Sequence, residues 1–232
     1  VSGVLVAVGS VKGSPGTTTL AVTLAAVWPD GPVVMIEADC AGGDLGGRCW
    51  LPDTPGLASL ATGVRSGTVS LTEHLARLPC EVQVVVAPAG RHPATVAVGL
   101  LAEAGPAGWA KERATIVDVG RLDPGAPAEG LVKVSEVLLV CTRGDEASLM
   151  RLADAGLPGQ LARVVVVGGS DYRLDEIAAA VGLPVAAILP WDVRAAQVVW
   201  GQAKPSSAWT KRGLPAAVRS LARDLAGQGG RR

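Results

Sequence analysis

Phenylalanine is absent from these 232 residues, tyrosine occurs once and tryptophan six times, so the interior must be almost wholly aliphatic. Neither sign of charge is in excess: 21 Lys and Arg balance 21 Asp and Glu, for a formal net charge of zero. Non-specific nucleic-acid binding draws most of its affinity from basic charge, so nucleic acid is not the expected partner. Two histidines accompany four cysteines, and Cys40, Cys49, Cys80 and Cys141 form no Cys-x-x-Cys pair. That spacing argues against a zinc or iron–sulfur framework and reads as reduced, structural thiols. No run approaches the roughly 18 apolar residues of a transmembrane helix. The first residues lack the positive start and cleavage region of a signal peptide. The expected location is the cytoplasm.

What the chain has in quantity is Ala, Val and Leu. Apolar residues make up 49% of it, enough for a sizeable core in one α/β domain. Short valine-rich runs at 4–8, 33–36, 82–87, 115–119, 137–141, 164–167 and 185–189 lack polar alternation. Strands of that kind are buried on both faces, the mark of a parallel sheet covered by helices. The expectation is a doubly wound, mostly parallel sheet of about seven strands with helices on both faces. One domain is expected over 1–226 and a disordered tail over 227–232, with helices at 20–27, 57–63 and 71–78 and an amphipathic one bearing Leu214, Val218, Leu221, Ala222 and Leu225.

Residues 10–19, Ser-Val-Lys-Gly-Ser-Pro-Gly-Thr-Thr-Thr, fall between the first strand and the first helix. Gly13 and Gly16 permit positive φ, the threonine hydroxyls can cap and ligate, and the helix points its first N–H groups into the loop. Such a loop suits a phosphate. Lys12-Gly13-Ser14-Pro15-Gly16-Thr17-Thr18-Thr19 resembles the deviant Walker A loop Lys-Gly-Gly-x-Gly-Lys-Thr-Thr of the ParA/MinD family of P-loop ATPases. Ser14 replaces a glycine, and Thr17 replaces the lysine that holds the β- and γ-phosphates.

The resemblance continues along the chain. Glu37-Ala38-Asp39 is similar to the family's Asp-x-Asp before its first switch, and residues 115–120, with Asp118, to its Walker B strand. Residues 182–192 are similar to its last strand and its Ile-Pro-x-Asp loop beside adenine. It implies ATP and Mg²⁺ as cofactors, with Lys12 reaching across a homodimer to the partner's phosphates. Nucleotide would be held by Lys12, Gly13, Ser14, Gly16, Thr17, Thr18, Thr19, Pro190 and Asp192, and the metal by Thr18, Asp39 and Asp118. Lys12 and Asp39 would act in catalysis, Asp39 placing water, although Asp39 could instead only cap its loop. Losing one charge-assisted hydrogen bond at Thr17 is worth about tenfold to 150-fold in affinity. Losing a donor to developing charge costs turnover about 100 to 1,000-fold.

Several residues keep two readings. Arg91 replaces the missing charge or is a solvated loop residue. Trp191 lies against a base or covers the sheet edge, and Trp50 packs or meets a partner. Residues 168–171, Gly-Gly-Ser-Asp, lack the asparagine that reads adenine in many relatives. The last helix packs on the core or, as in the MinD branch, touches a membrane. The expected function is a nucleotide-binding switch that dimerises and positions or regulates a protein assembly, with weak or absent hydrolysis. The branch accompanying pilus and secretion assembly, whose loops are often altered, is the nearest analogue. The alternative is a pseudo-ATPase scaffold that docks partners without nucleotide. A small-molecule ligase or kinase related to dethiobiotin synthetase is a third option, for which no substrate constellation is visible.

Overall fold

In the computed structural model, residues 3–13, 15–29, 31–67, 70–105 and 113–229 are described, with side chains as far as Gly227. The strands are β1 (Leu5–Ser10), β2 (Val33–Glu37), β3 (Ala76–Arg77), β4 (Gln83–Val85), β5 (Ala114–Arg121), β6 (Val137–Thr142), β7 (Ala162–Val167) and β8 (Val185–Leu189). They form one sheet in the order β3-β4-β2-β5-β1-β6-β7-β8. Every pairing is parallel except β3 with β4. The valine-rich runs therefore became strands, as their lack of alternation predicts.

On β1, Val6 and Val8 enter one apolar cluster while Leu5 and Ala7 enter the other, so successive residues are buried on opposite sides of the sheet. Helix α1 (Thr17–Ala26) follows β1, and α2 (Leu45–Cys49), α3 (Leu57–Ser66) and α4 (Arg91–Ala104) come next in the chain. They are followed by α5 (Ala128–Val134), α6 (Glu146–Ala153), α7 (Leu174–Val181), α8 (Val193–Val199) and α9 (Gly213–Gly229). Leu20 and Leu24 of α1 and Leu214, Val218, Leu221, Ala222 and Leu225 of α9 share the first cluster, and Leu57, Leu60, Val98 and Leu101 belong to the second. The apolar face of α9 is thus consumed by the core. Among the described residues no helix is long and apolar enough to cross a membrane.

Several details depart from the sequence reading. An eighth strand, β3, occupies part of the expected helix at 71–78, which begins instead as a 3₁₀ turn, Leu71–His74. Pro79 disfavours helix at Leu78. The chain turns there, with Leu78 N–H bonded to Val82 O at 2.9 Å and Glu81 at φ 69. The last helix covers 227–229 of the expected tail, and 230–232 lie outside the described residues. Arg91 opens α4 rather than lying in a loop. Trp50 does not pack: it closes α2 in the left-handed conformation, 93% exposed, and Leu51 packs against the core instead.

The chain leaves β1 for β2 on one side and later crosses from β5 to β6 on the other. The carboxyl edge of β1 is thus a switch point of the winding, where crevices open in such sheets.

Candidate phosphate-loop cleft

Beyond that edge lies a cleft of about 460 Å³ bordered by the loop and by Asp39, Arg48, Arg91, Arg121, Trp191 and Trp200. Gly13 and Gly16 adopt φ 77 and 97, left-handed values that the loop requires and glycine supplies without strain. No side chain caps α1 and no acidic residue sits in its own first turn, so its N-terminal amides are left without an intrahelical partner at the cleft. Ser14 lies outside the described residues. Lys12 is exposed and makes no ion pair among them.

Thr17 is where the departure from a lysine-bearing loop has structural consequence. The residue is 7% exposed, and its hydroxyl is buried without a good hydrogen-bond partner, close to the Cys141 thiol of β6. Burial, with Asp118 nearby, pushes that thiol up to about 12 and keeps it a neutral, weak partner. Thr18 turns the other way, its hydroxyl beside the Asp118 carboxyl. Thr19 borders the cleft.

Three carboxylates gather on the β2–β5 side, where Glu37 and Asp118 are register partners. Glu37 is 2% exposed and accepts N–H bonds from Asp44 at 2.7 Å and from Leu45 and Ala87 at 3.0 Å. Burial raises its pKa and those amides oppose the rise. It fastens the loop 40–45 to the sheet. Asp118 is fully enclosed, and desolvation pushes its carboxyl up to about 7 against the Thr18 hydroxyl and the Gly120 N–H, the latter at 3.0 Å. Asp39 remains partly exposed. Burial raises its carboxyl, while the Ala41 amide at 2.7 Å, Arg121 and Arg91 counter this. Gly120, at φ 62, sits against Asp39 so closely that any Cβ would strike the carboxyl.

Arg91 borders the cleft, as one of its two readings requires. Arg48 and Arg121 were not singled out from the sequence. Arg121 directly follows Gly120 at the end of β5, and Arg48 stands four residues after Asp44, bonds it at 3.4 Å and lies 4.4 Å over Trp200. Those two spacings were the available signals.

The far side is assembled differently. Asp192 caps two helices, Oδ1 accepting from Ala195 N–H at 2.9 Å and Oδ2 from Leu214 N–H at 3.0 Å. Pro190 immediately follows β8. Trp191 is 59% exposed, with the Arg143 guanidinium 4.4 Å over its ring.

The donor set fits magnesium and phosphate only in company. Thr18, Asp39 and Asp118 are hard oxygen donors, suited to Mg²⁺ completed by water and phosphate oxygens. No group of three or more His, Cys, Asp or Glu among the described residues would hold a metal unaided.

The sequence matches no family model and no curated protein. The fold matches solved structures over nearly the whole chain, and these define it as that of the ParA/MinD P-loop ATPases. A ParA family ATPase from Chlorobium tepidum TLS superposes with TM-score 0.74 at 19% identity, covering 96% of this chain and 98% of that one. MinD of Pyrococcus horikoshii OT3, complexed with Mg-ADP, gives 0.75 at 17% identity, covering 99% of each chain. The MinC:MinD complex of Aquifex aeolicus gives 0.63 at 18% identity, covering 97% and 96%. At these identities the likeness establishes the fold.

Proposed function

We propose that the chain is a nucleotide-dependent switch of the ParA/MinD kind, forming a homodimer that positions or regulates a partner protein assembly, with weak or absent ATP hydrolysis. The observation that carries this reading is the arrangement around one cleft of a glycine loop, Thr18 and Asp39 held against Gly120, with the enclosed Asp118 carboxyl beside the Thr18 hydroxyl. Neighbours of this fold include a Mg-ADP complex and a complex with a protein partner. In this reading Lys12, Thr19 and the amides at Gly13 and Gly16 take phosphate, while Thr18, Asp39 and Asp118 hold Mg²⁺ through oxygen and water. The ion would supply charge neutralisation for the phosphates.

Weak turnover follows from Thr17. A buried hydroxyl directed at Cys141 cannot stand in for an ammonium reaching the phosphates. Arg91 and Arg121 bring positive charge to the cleft, but both also offset Asp39. They can assist binding without reproducing a donor aimed at developing charge.

Calorimetric titration with ATP, with and without Mg²⁺, tests the reading. Micromolar to sub-millimolar binding that Lys12→Ala weakens is expected, with about tenfold to 150-fold tighter binding in Thr17→Lys. Light scattering should then show a monomer-to-dimer shift with ATP. The pseudo-ATPase scaffold is favoured by one observation, the internal compensation of charge: three arginines and three aspartates border the cleft. That second reading requires no ATP binding and one oligomeric state with and without ATP.

A further inference from the structure

The loop at 10–19 has two faces. The cleft described above meets Gly16, Thr17, Thr18 and Thr19. A second one, of about 320 Å³, opens between Val11, Lys12 and Pro15 on one side and β6 and α6 on the other, and the two clefts share Gly13 and Trp191. Their charges differ. In the first, each arginine faces an acid: Arg91 and Arg121 offset Asp39, and Arg48 pairs with Asp44 at 3.4 Å. The second is lined by Lys12, Arg143 and Arg151 and, among the described residues, by no carboxylate. None of these three cations forms an ion pair among the described residues.

Asp145, at the head of α6, is committed to the helix, accepting from the Ser148 amide at 3.0 Å and the Ser148 hydroxyl at 2.9 Å. Those bonds, with Arg151 nearby, hold its carboxyl below the usual range. It tempers Arg151 without pairing with it. Most donors in the second cleft are unspent. Arg151 gives one N–H to Ala147 O at 3.1 Å, and Arg143 lies 4.4 Å over the Trp191 ring. Stacking uses the flat face of a guanidinium and leaves its N–H groups, which lie in the plane, free to donate. Trp191 thus orders Arg143 with its fork available. Like charges lining one concavity focus a positive potential, and an arginine fork matches phosphate oxygens two at a time. The adjoining glycine loop favours phosphate among anions.

We propose that Arg143 and Arg151, with Lys12, seat the phosphates of a polyphosphate ligand in this second cleft, supplying from the end of β6 and from α6 the positive charge that Thr17 does not bring from the loop. The arginines of the larger cleft are spent on its acids. The inference rests on the nucleotide reading above for the identity of the ligand and adds to it the residues that hold its phosphates.

Calorimetry with ATP and with inorganic triphosphate, each in Mg²⁺, tests it on the full chain, using wild type, Arg143→Gln, Arg151→Gln, the double variant, Arg91→Gln and Thr17→Lys. Each guanidinium removed from the second cleft should weaken both ligands about tenfold, and the double variant about thirtyfold to a hundredfold. Arg91→Gln should cost less than either. Arg91, Arg143 and Arg151 are exposed, so these variants keep the core intact. ATP bound by wild type and equally well by the double variant, or a larger loss in Arg91→Gln than in the double variant, overturns this proposal and leaves the nucleotide reading in place. Triphosphate binding that the double variant loses, with no ATP binding in wild type or Thr17→Lys, upholds the seat, makes its ligand a free polyphosphate and overturns the nucleotide reading. No binding of either ligand by wild type overturns this proposal, and the nucleotide reading falls with it only if Thr17→Lys also binds no ATP.

Discussion

The two ends of the cleft are constructed on opposite principles. On the β2–β5 side, carboxyl groups stand close together at cost: Asp118 is fully enclosed beside Glu37 and near Asp39, and its carboxyl is pushed to about 7. On the β8 side the carboxylate of Asp192 is spent on structure, holding the first amides of α8 and α9. A fold that needed only stability would not retain an enclosed, poorly compensated carboxyl, because burying charge without a partner is expensive. The β2–β5 side thus carries an enclosed carboxyl at a cost, whereas on the β8 side the carboxylate holds the scaffold and Trp191 is left exposed.

The largest effect expected concerns the acid that anchors a loop. Glu37→Ala leaves three backbone donors unpaired in the interior. Denaturant unfolding should show a loss of about 3–5 kcal/mol. A loss below about 1 kcal/mol would mean that water or rearrangement satisfies those amides and that Glu37 is not the fastening of loop 40–45.

Asp118 should reveal itself through pH. Its carboxyl titrates near 7 when folded and from the ordinary 3.8 when unfolded, so between these values the folded chain retains a proton that the unfolded chain has released. The stability this group contributes is whole below about pH 4, declines as pH rises and is gone above about pH 7, a change of at most about 4 kcal/mol. Asp118→Asn removes this titration. Unfolding measured at pH 5, 6, 7 and 8 should show the variant gaining on wild type as pH rises. A difference independent of pH would show that Asp118 is ionised throughout.

Much of the fold was legible because seven strands are local facts: each is a short aliphatic run, buried on both faces in all but the edge strand β8, where Ala186 and Ile188 are exposed. The loop at 10–19 was legible because glycines and threonines at close spacing carry their own geometry. Glu37 as a fastening was not, since its amide partners stand 7, 8 and 50 residues away. Asp192 is a related case: the cap on Ala195 is local, but the one on Leu214 lies 22 residues on. Trp50 was read as a packing residue because large aromatics bury well. Its left-handed backbone, set by the end of α2, sends Leu51 inward in its place.

Asp192→Ala sharpens the contrast from the other end. With both capped amides released, a loss of about 2–3 kcal/mol is expected without any nucleotide present. Unaltered stability in the free protein, accompanied by weaker nucleotide binding, would return Asp192 to the ligand and undo the division between the two ends.

The smallest effect concerns Arg48, which touches both Asp44 and Trp200 at the border of the cleft. The ion pair is long and about half exposed on both sides, so water screens most of it, and the stacking on Trp200 is the larger part. Arg48→Ala should therefore lower stability by only about 0.5–1 kcal/mol, with little dependence on salt. Arg48→Lys keeps the charge but not the planar face, and should behave more like Ala than like Arg in the same unfolding measurement. If Lys restores wild-type stability, or if high salt erases the difference, the contact is electrostatic. Arg48 would then belong with Arg91 and Arg121 among the positive charges that border the cleft.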